Sequence, residues 1–288
     1  GTAKRYLTGA DFDIESMQII GDSIWFGDEL GPYLIRTDRK GKVISVHETQ
    51  LEGKVLRSPD HFAVTTPAVP GAFTTPVRRS RGYEGMAASK DGKYLYPLLE
   101  GPLWIEAEKK WESKDGREYL RILEFDVASA AWTGRTWKYL LELNGNNIGD
   151  FNMIDADTGL IIERDNGEGL PADACNGPAR PDCQNVPAKM KRVYKVSLKE
   201  ADAEGFVKKI GFIDLLDIAD PNSVAKRGTT GGRFTFPFVT IEDVDVVDAE
   251  HIVVANDNNL PYSSGRKVGV QDDNEFILLR VPELLQAR

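Results

Sequence analysis

The chain has 288 residues, 41% hydrophobic and 28% charged, with 36 Lys and Arg against 45 Asp and Glu and a net charge of −9. It is long enough to bury a large core, and its acidic balance excludes nucleic acid as the main partner, because phosphate backbones demand basic patches. No apolar run reaches the roughly 18–20 residues that a membrane-spanning helix needs.

In chain order, short β-rich runs fall at residues 23–26, 33–36, 42–46, 94–98, 121–125, 160–162, 192–196, 252–254 and 276–281, separated by Gly, Asp and Asn turns. Helical signals are confined to 197–204 and 282–286. The pattern predicts an all-β protein.

Four segments align by eye: DIESMQIIGDSIWFGDELGP, GYEGMAASKDGKYLYPLLEGP, IGDFNMIDADTGLIIERDN and TIEDVDVVDAEHIVVANDNNLP. Each has an acidic residue, a strand, a turn, a second strand and an acidic or amide cluster. The first acidic positions are Glu15, Glu84, Asp150 and Glu242; the second are Asp28 with Glu29, Glu100, Glu163 with Asp165, and Asn256 with Asp257. A third strand follows each hairpin (YLIRTD, RILEFD, RVYKVS, EFILLRV), and a fourth follows the first three (GKVISV, RTWKYL, VKKIGF). Four strands per repeat is the grammar of a β-propeller blade. We therefore expect one propeller domain over residues 1–288, with residues 4–7 supplying the last blade's missing strand. The Pro- and Gly-rich segments 48–81 and 211–240 read as loops over one face.

The start of a hairpin's first strand lies beside the end of its second. The acidic positions should therefore gather at one channel mouth, where like charges raise each other's pKa values unless a cation intervenes. That cation is either a bound ion or a side chain such as Arg81 or Arg164. Carboxylate and amide oxygens without Cys or clustered His select a hard ion, and calcium suits them best. The competing expectation is that carboxylates at strand ends cap turns, as for Asp22, Asp91 and Asp155. His61 is the one histidine on a candidate active-face loop, and the five tryptophans read as blade packing. Cys175 and Cys183, close together on a loop, suit a local disulfide and hence a periplasmic or secreted protein.

The motifs DIES, FGDELGPYLIRTD, GYEGMA, LIIERDN, TIEDVDV and VANDNN resemble the phytase-like family described as "esterase-like activity of phytase", from about Asp11 to Val281. The resemblance implies an exported bacterial propeller of five or six blades that hydrolyses phosphoesters or other esters. One N-terminal blade-like repeat of that family is not found here. By motif position it implies a site of Glu15, Glu29, Glu84, Glu163, Arg164, Asp165, Glu242 and Asp257. Asp150 joins these as a calcium ligand, Glu84 or Glu163 acts as base, and Arg164 contacts an anionic substrate. The acidic ring also resembles that of calcium-dependent lactonase propellers. A binding module with a structural calcium is the non-enzymatic alternative.

Overall fold

Each of the nine strand-like runs is a strand, to within a few residues at its ends, in the computed structural model, which describes residues 6–65 and 75–288. The first sheet holds β1 (Ile14–Ile20), β2 (Ser23–Asp28), β3 (Tyr33–Asp38) and β4 (Val43–Glu48). The second holds β5 (Tyr83–Ala88), β6 (Tyr94–Leu99), β7 (Arg117–Asp126) and β8 (Ala131–Leu140), with a fifth, two-residue strand at Ser113–Lys114 also paired to β7. The third holds β9 (Asn147–Met153), β10 (Thr158–Arg164), β11 (Lys191–Ser197) and β12 (Lys208–Asp214). In each, the four numbered strands are neighbours in chain order. A last sheet has three strands, β13 (Thr240–Val246), β14 (His251–Asp257) and β15 (Phe276–Arg280). The fold is thus all-β and made of up-and-down sheets of the propeller-blade type.

The residues fall into two compact units. One takes the chain up to Asn144 with Asp150–Gly159 and Ser197–Lys208; the other takes Gly145–Gly149, Leu160–Val196 and Lys209–Arg288. In the first unit Trp25, Leu34, Tyr83, Met86, Leu95, Leu99, Leu123 and Phe125 form one buried cluster. Trp25 and Phe125 meet edge-on at 5.5 Å. In the second, Phe236 and Phe238 meet edge-on at 4.7 Å and are fully buried or nearly so. Burial follows strand position. Five of the six residues of β6 are buried, whereas none is in β4, the outer strand of its sheet.

The helix expected at 282–286 is present as α1 (Pro282–Gln286), with Leu284 and Leu285 buried. The one expected at 197–204 is not formed. There the Ser197 hydroxyl accepts from the Glu200 N–H, and Asp202 Oδ1 accepts from the N–H groups of Glu204 and Phe206. Such local side-chain bonds compete with helix, and Gly205 at φ +86° returns the chain to a strand. The segments at 48–81 and 211–240 are not wholly loop. They contain a ribbon of Gln50–Leu51 with Lys54–Val55, and a small sheet of Ile218–Ala219, Thr229–Thr230 and Arg233–Phe234. Of residues 4–7, expected to supply the last sheet's fourth strand, Lys4 and Arg5 lie outside the described residues, as do residues 66–74, and Tyr6 and Leu7 belong to no strand. No helix is long and apolar enough to cross a membrane among the described residues.

Candidate metal centre

The recurring first acidic residue has a structural cause in three of the four repeats. In the first hairpin Ile14 pairs with Asp28 and Ser16 with Gly27, so Glu15 is the extra residue of a β-bulge. In the second, Tyr83 pairs with Leu99 and Gly85 with Leu98, leaving Glu84 in the same place. In the last hairpin, Ile241 pairs with Asn256 and Asp243 with Ala255, leaving Glu242. A bulge re-aims its extra side chain out of the strand's alternation. The second acidic position also has a fixed register. The Glu29 N–H donates to the Asp13 carbonyl and the Glu100 N–H to the Gly82 carbonyl, one step beyond each bulged pair.

In the first unit these positions converge. Oxygens of Asp13, Glu15 and Glu29 lie within 4.8 Å of one another, and so do oxygens of Glu29, Glu84 and Glu100. Glu29 belongs to both groups, and Glu29, Glu84 and Glu100 are all buried. Close backbone approach makes this possible. A Cβ on Gly82 would stand 2.2 Å from the Glu29 carbonyl oxygen, and one on Gly85 would stand 2.6 Å from the Phe151 nitrogen. The two glycines of GYEG therefore let β5 lie against both its neighbours.

Burial, followed by the charges of Glu100, Glu15 and Asp13, pushes the Glu29 carboxyl up from 4.5 to about 8, although Arg81 opposes this. Asp28 is raised to about 6 by burial, against the pull of backbone N–H groups from Gly31 and Asp13. Its Oδ1 accepts from the Asp13 N–H at 2.7 Å and its Oδ2 from the Gly31 N–H at 2.7 Å, so it braces the loop beneath the cluster. Arg81 Nη1 meets Glu100 at 2.5 Å. The donors are all oxygen, which fits a hard cation such as calcium.

The other site positions are distributed differently. Asp150, half-buried, accepts from the Phe151 N–H and the Asn152 amide. In the second unit Glu163 is fully buried and accepts from Lys209 Nζ at 3.0 Å and Asn146 Nδ2 at 2.8 Å. Arg164 Nη2 donates to Glu242 Oε1 at 3.1 Å. Asp165 meets the buried Lys191 Nζ at 3.0 Å and accepts from the Lys189 and Met190 N–H groups. Burial lowers that lysine to about 8 in spite of Asp165. Asp257 is exposed at the end of β14. Side-chain cations thus answer Glu163, Asp165 and Glu242, whereas Asp257 adds its charge to the burial that raises the Asp243 carboxyl.

Turn capping is real for Asp91, which accepts from Ser89 Oγ, and for Asp155, which accepts from the Asp157 and Thr158 N–H groups. His61 is buried with Nε2 at 2.9 Å from Glu48, and its ring stacks on Phe62 at 4.7 Å. Sequence reading left Asp13 out of the site and gave Glu100 only a supporting place. Glu100 lies one step beyond the bulged pair on the partner strand, as Glu29 does, and Asp13 lies just before the bulged strand, where its carbonyl accepts from the Glu29 N–H, placements visible only once the bulge fixes the register.

Blade-type antiparallel sheets, two of whose bulges present a buried carboxylate group, define the class: an all-β protein of blade-type repeats with an acidic site. A family model described as "Phytase-like: Esterase-like activity of phytase" matches residues 2–260. The chain belongs to this family. An "Uncharacterized secreted protein" of Arthroderma benhamiae is 30% identical over 140 residues, covering 45% of this chain; the match spans about a quarter of that relative's length, 26%. Among solved structures, Kuenenia stuttgartiensis hydrazine synthase aligns at 12% identity and a TM-score of 0.36, covering 97% of this chain and 66% of that one. The Cps50 (Swd1) β-propeller domain of Myceliophteria thermophila aligns at 10% and 0.33, covering 89% and 65%. A GH43 endo-arabinanase from Bacillus licheniformis aligns at 11% and 0.28, covering 95% of each chain.

Proposed function

We propose that this protein is an exported, calcium-dependent ester hydrolase, acting on phosphoesters, whose site is the carboxylate cluster of the first unit. The observation that carries the reading is the sharing of Glu29 by two carboxylate groups, each with its oxygens within 4.8 Å. So much buried like charge calls for a proton or a cation, and the all-oxygen donor set favours calcium. Membership of a family described by esterase-like activity supports the reaction class. The Cys175–Cys183 disulfide and a relative described as secreted support export.

Asp13, Glu15, Glu29 and Glu100 would hold the ion, which would supply Lewis acidity toward an ester oxygen. Glu84, buried and re-aimed by its bulge, would accept through a carboxylate oxygen the proton of the attacking water. Glu100 would orient Arg81. Glu163, Arg164, Asp165 and Glu242, first expected as ligands or catalytic groups, are paired as described, and we assign them to holding β10 and β13 in place.

Calcium titration calorimetry, with an ester and lactone screen, tests this. We expect stoichiometric calcium that is lost in Glu29→Gln, and phosphoester turnover that chelation or Glu84→Gln abolishes in a folded protein. Turnover that survives both treatments would sink the reading. Calcium binding without hydrolysis of any ester would make this a binding module.

A further inference from the structure

We infer that Arg81 is the anion-recognition residue of this site, and that it acts only when the neighbouring carboxylates are neutralised by a cation. This rests on the calcium-site reading above and adds to it the group that selects a negatively charged ester.

Arg81 is placed with care. Ser80, the preceding residue, has φ +46°, a left-handed conformation that few non-glycine residues adopt. Gly101 lies against the Arg81 stem: a Cβ there would come within 2.8 Å of Arg81 Cβ and 3.2 Å of its Cγ. The guanidinium is held from one side, with Nη1 2.5 Å from Glu100, which is only 4% exposed, while the Arg81 side chain is 31% exposed. An arginine carries five N–H donors in a planar fork. Among the described residues Glu100 is the ion-pair partner of Arg81, met through Nη1, and with 31% of the Arg81 side chain exposed the other N–H donors of the guanidinium are open to an anion from solvent. A cation anchored at one end and open at the other matches two oxygens of a phosphate or carboxylate.

The surrounding charge decides when this cation can work. Glu29, Glu84 and Glu100 cluster beside it, and the carboxylates among them that are ionised repel an incoming anion. Arg78 and Arg79, its near neighbours in sequence, are committed to Glu118 at 3.2 Å and Asp60 at 2.7 Å. A cation among the carboxylates reverses the local field, and Arg81 then faces the anion together with it. A neutral ester gains nothing from this arrangement, so the discrimination is for charge.

The test uses inorganic phosphate as the probe, titrated into the full chain in calcium and in chelator. Rates on an anionic and a neutral ester with the same leaving group accompany it. We expect phosphate to bind in calcium and to weaken by about 30-fold in Arg81→Gln. The anionic-to-neutral ratio of kcat/KM should fall by a similar factor. Arg81→Lys, which keeps a charge beside Glu100 but loses the fork, should fall between. Phosphate affinity unchanged within twofold in a folded, calcium-binding Arg81→Gln overturns the inference while leaving the hydrolase reading intact. Arg81-dependent phosphate binding with no ester turnover does the reverse: it upholds the inference and defeats catalysis. Binding that depends on Arg81 equally in chelator upholds the residue and overturns the requirement for a cation.

Discussion

Removing the charge of Glu29 should stabilise the metal-free protein, and by an amount that grows with pH. The Glu29 carboxyl titrates near 4.5 in an unfolded chain and at about 8 when folded. A raised carboxyl contributes its full stability below the unfolded value and loses it as pH rises toward the folded one. Each unit is worth about 1.4 kcal/mol, so relative to a neutral isostere Glu29 costs about 2 kcal/mol at pH 6, about 3 at pH 7 and about 4 at pH 8. Glu29→Gln keeps the shape and removes the ionisation. The assay is urea unfolding in chelator at these three pH values, wild type against variant. We expect the wild type to lose about 2 kcal/mol from pH 6 to pH 8 and the variant to stay nearly flat. Below pH 6 both keep a slope from Asp28, whose folded value is about 6. Saturating calcium should reverse the ranking, because the wild type gains binding free energy that the variant lacks. Equal slopes in chelator would refute the claim that burial and neighbouring carboxylates raise the Glu29 carboxyl.

Three further outcomes follow from the same geometry. Gly82→Ala pushes a methyl into the Glu29 backbone and should cost about 3 kcal/mol, whereas Gly9→Ala, with nothing within 4 Å, should cost little; urea unfolding compares them. Glu163→Ala removes the acceptor of Lys209 and Asn146 from a fully buried place and should cost about 3 kcal/mol. Calorimetry should show its calcium binding intact, unlike that of Glu29→Gln. Reduction of the Cys175–Cys183 bond, which closes a loop with a sequence separation of 8, should cost about 2–3 kcal/mol on loop entropy, read as a lower Tm.

Short strands, their turns and their four-fold recurrence were determined by the sequence alone, because alternation and turn residues act over a few positions. So were the bulge residues as a repeated set: Glu15, Glu84 and Glu242 stand out as acidic before any register is known. The local disulfide was legible for the same reason, its two cysteines being close in the chain. What the sequence did not contain was which charges answer which. Glu163 and Lys209 are 46 positions apart and Arg164 and Glu242 are 78 apart, so no local pattern joins them. The same acidic motif meets Lys209, Lys191 and Arg164 at Glu163, Asp165 and Glu242 in the second unit, whereas in the first Glu29 is crowded by like charge and Arg81 answers Glu100. Charge balance at a site depends on every group within a few ångströms, and only the tertiary structure decides who those neighbours are.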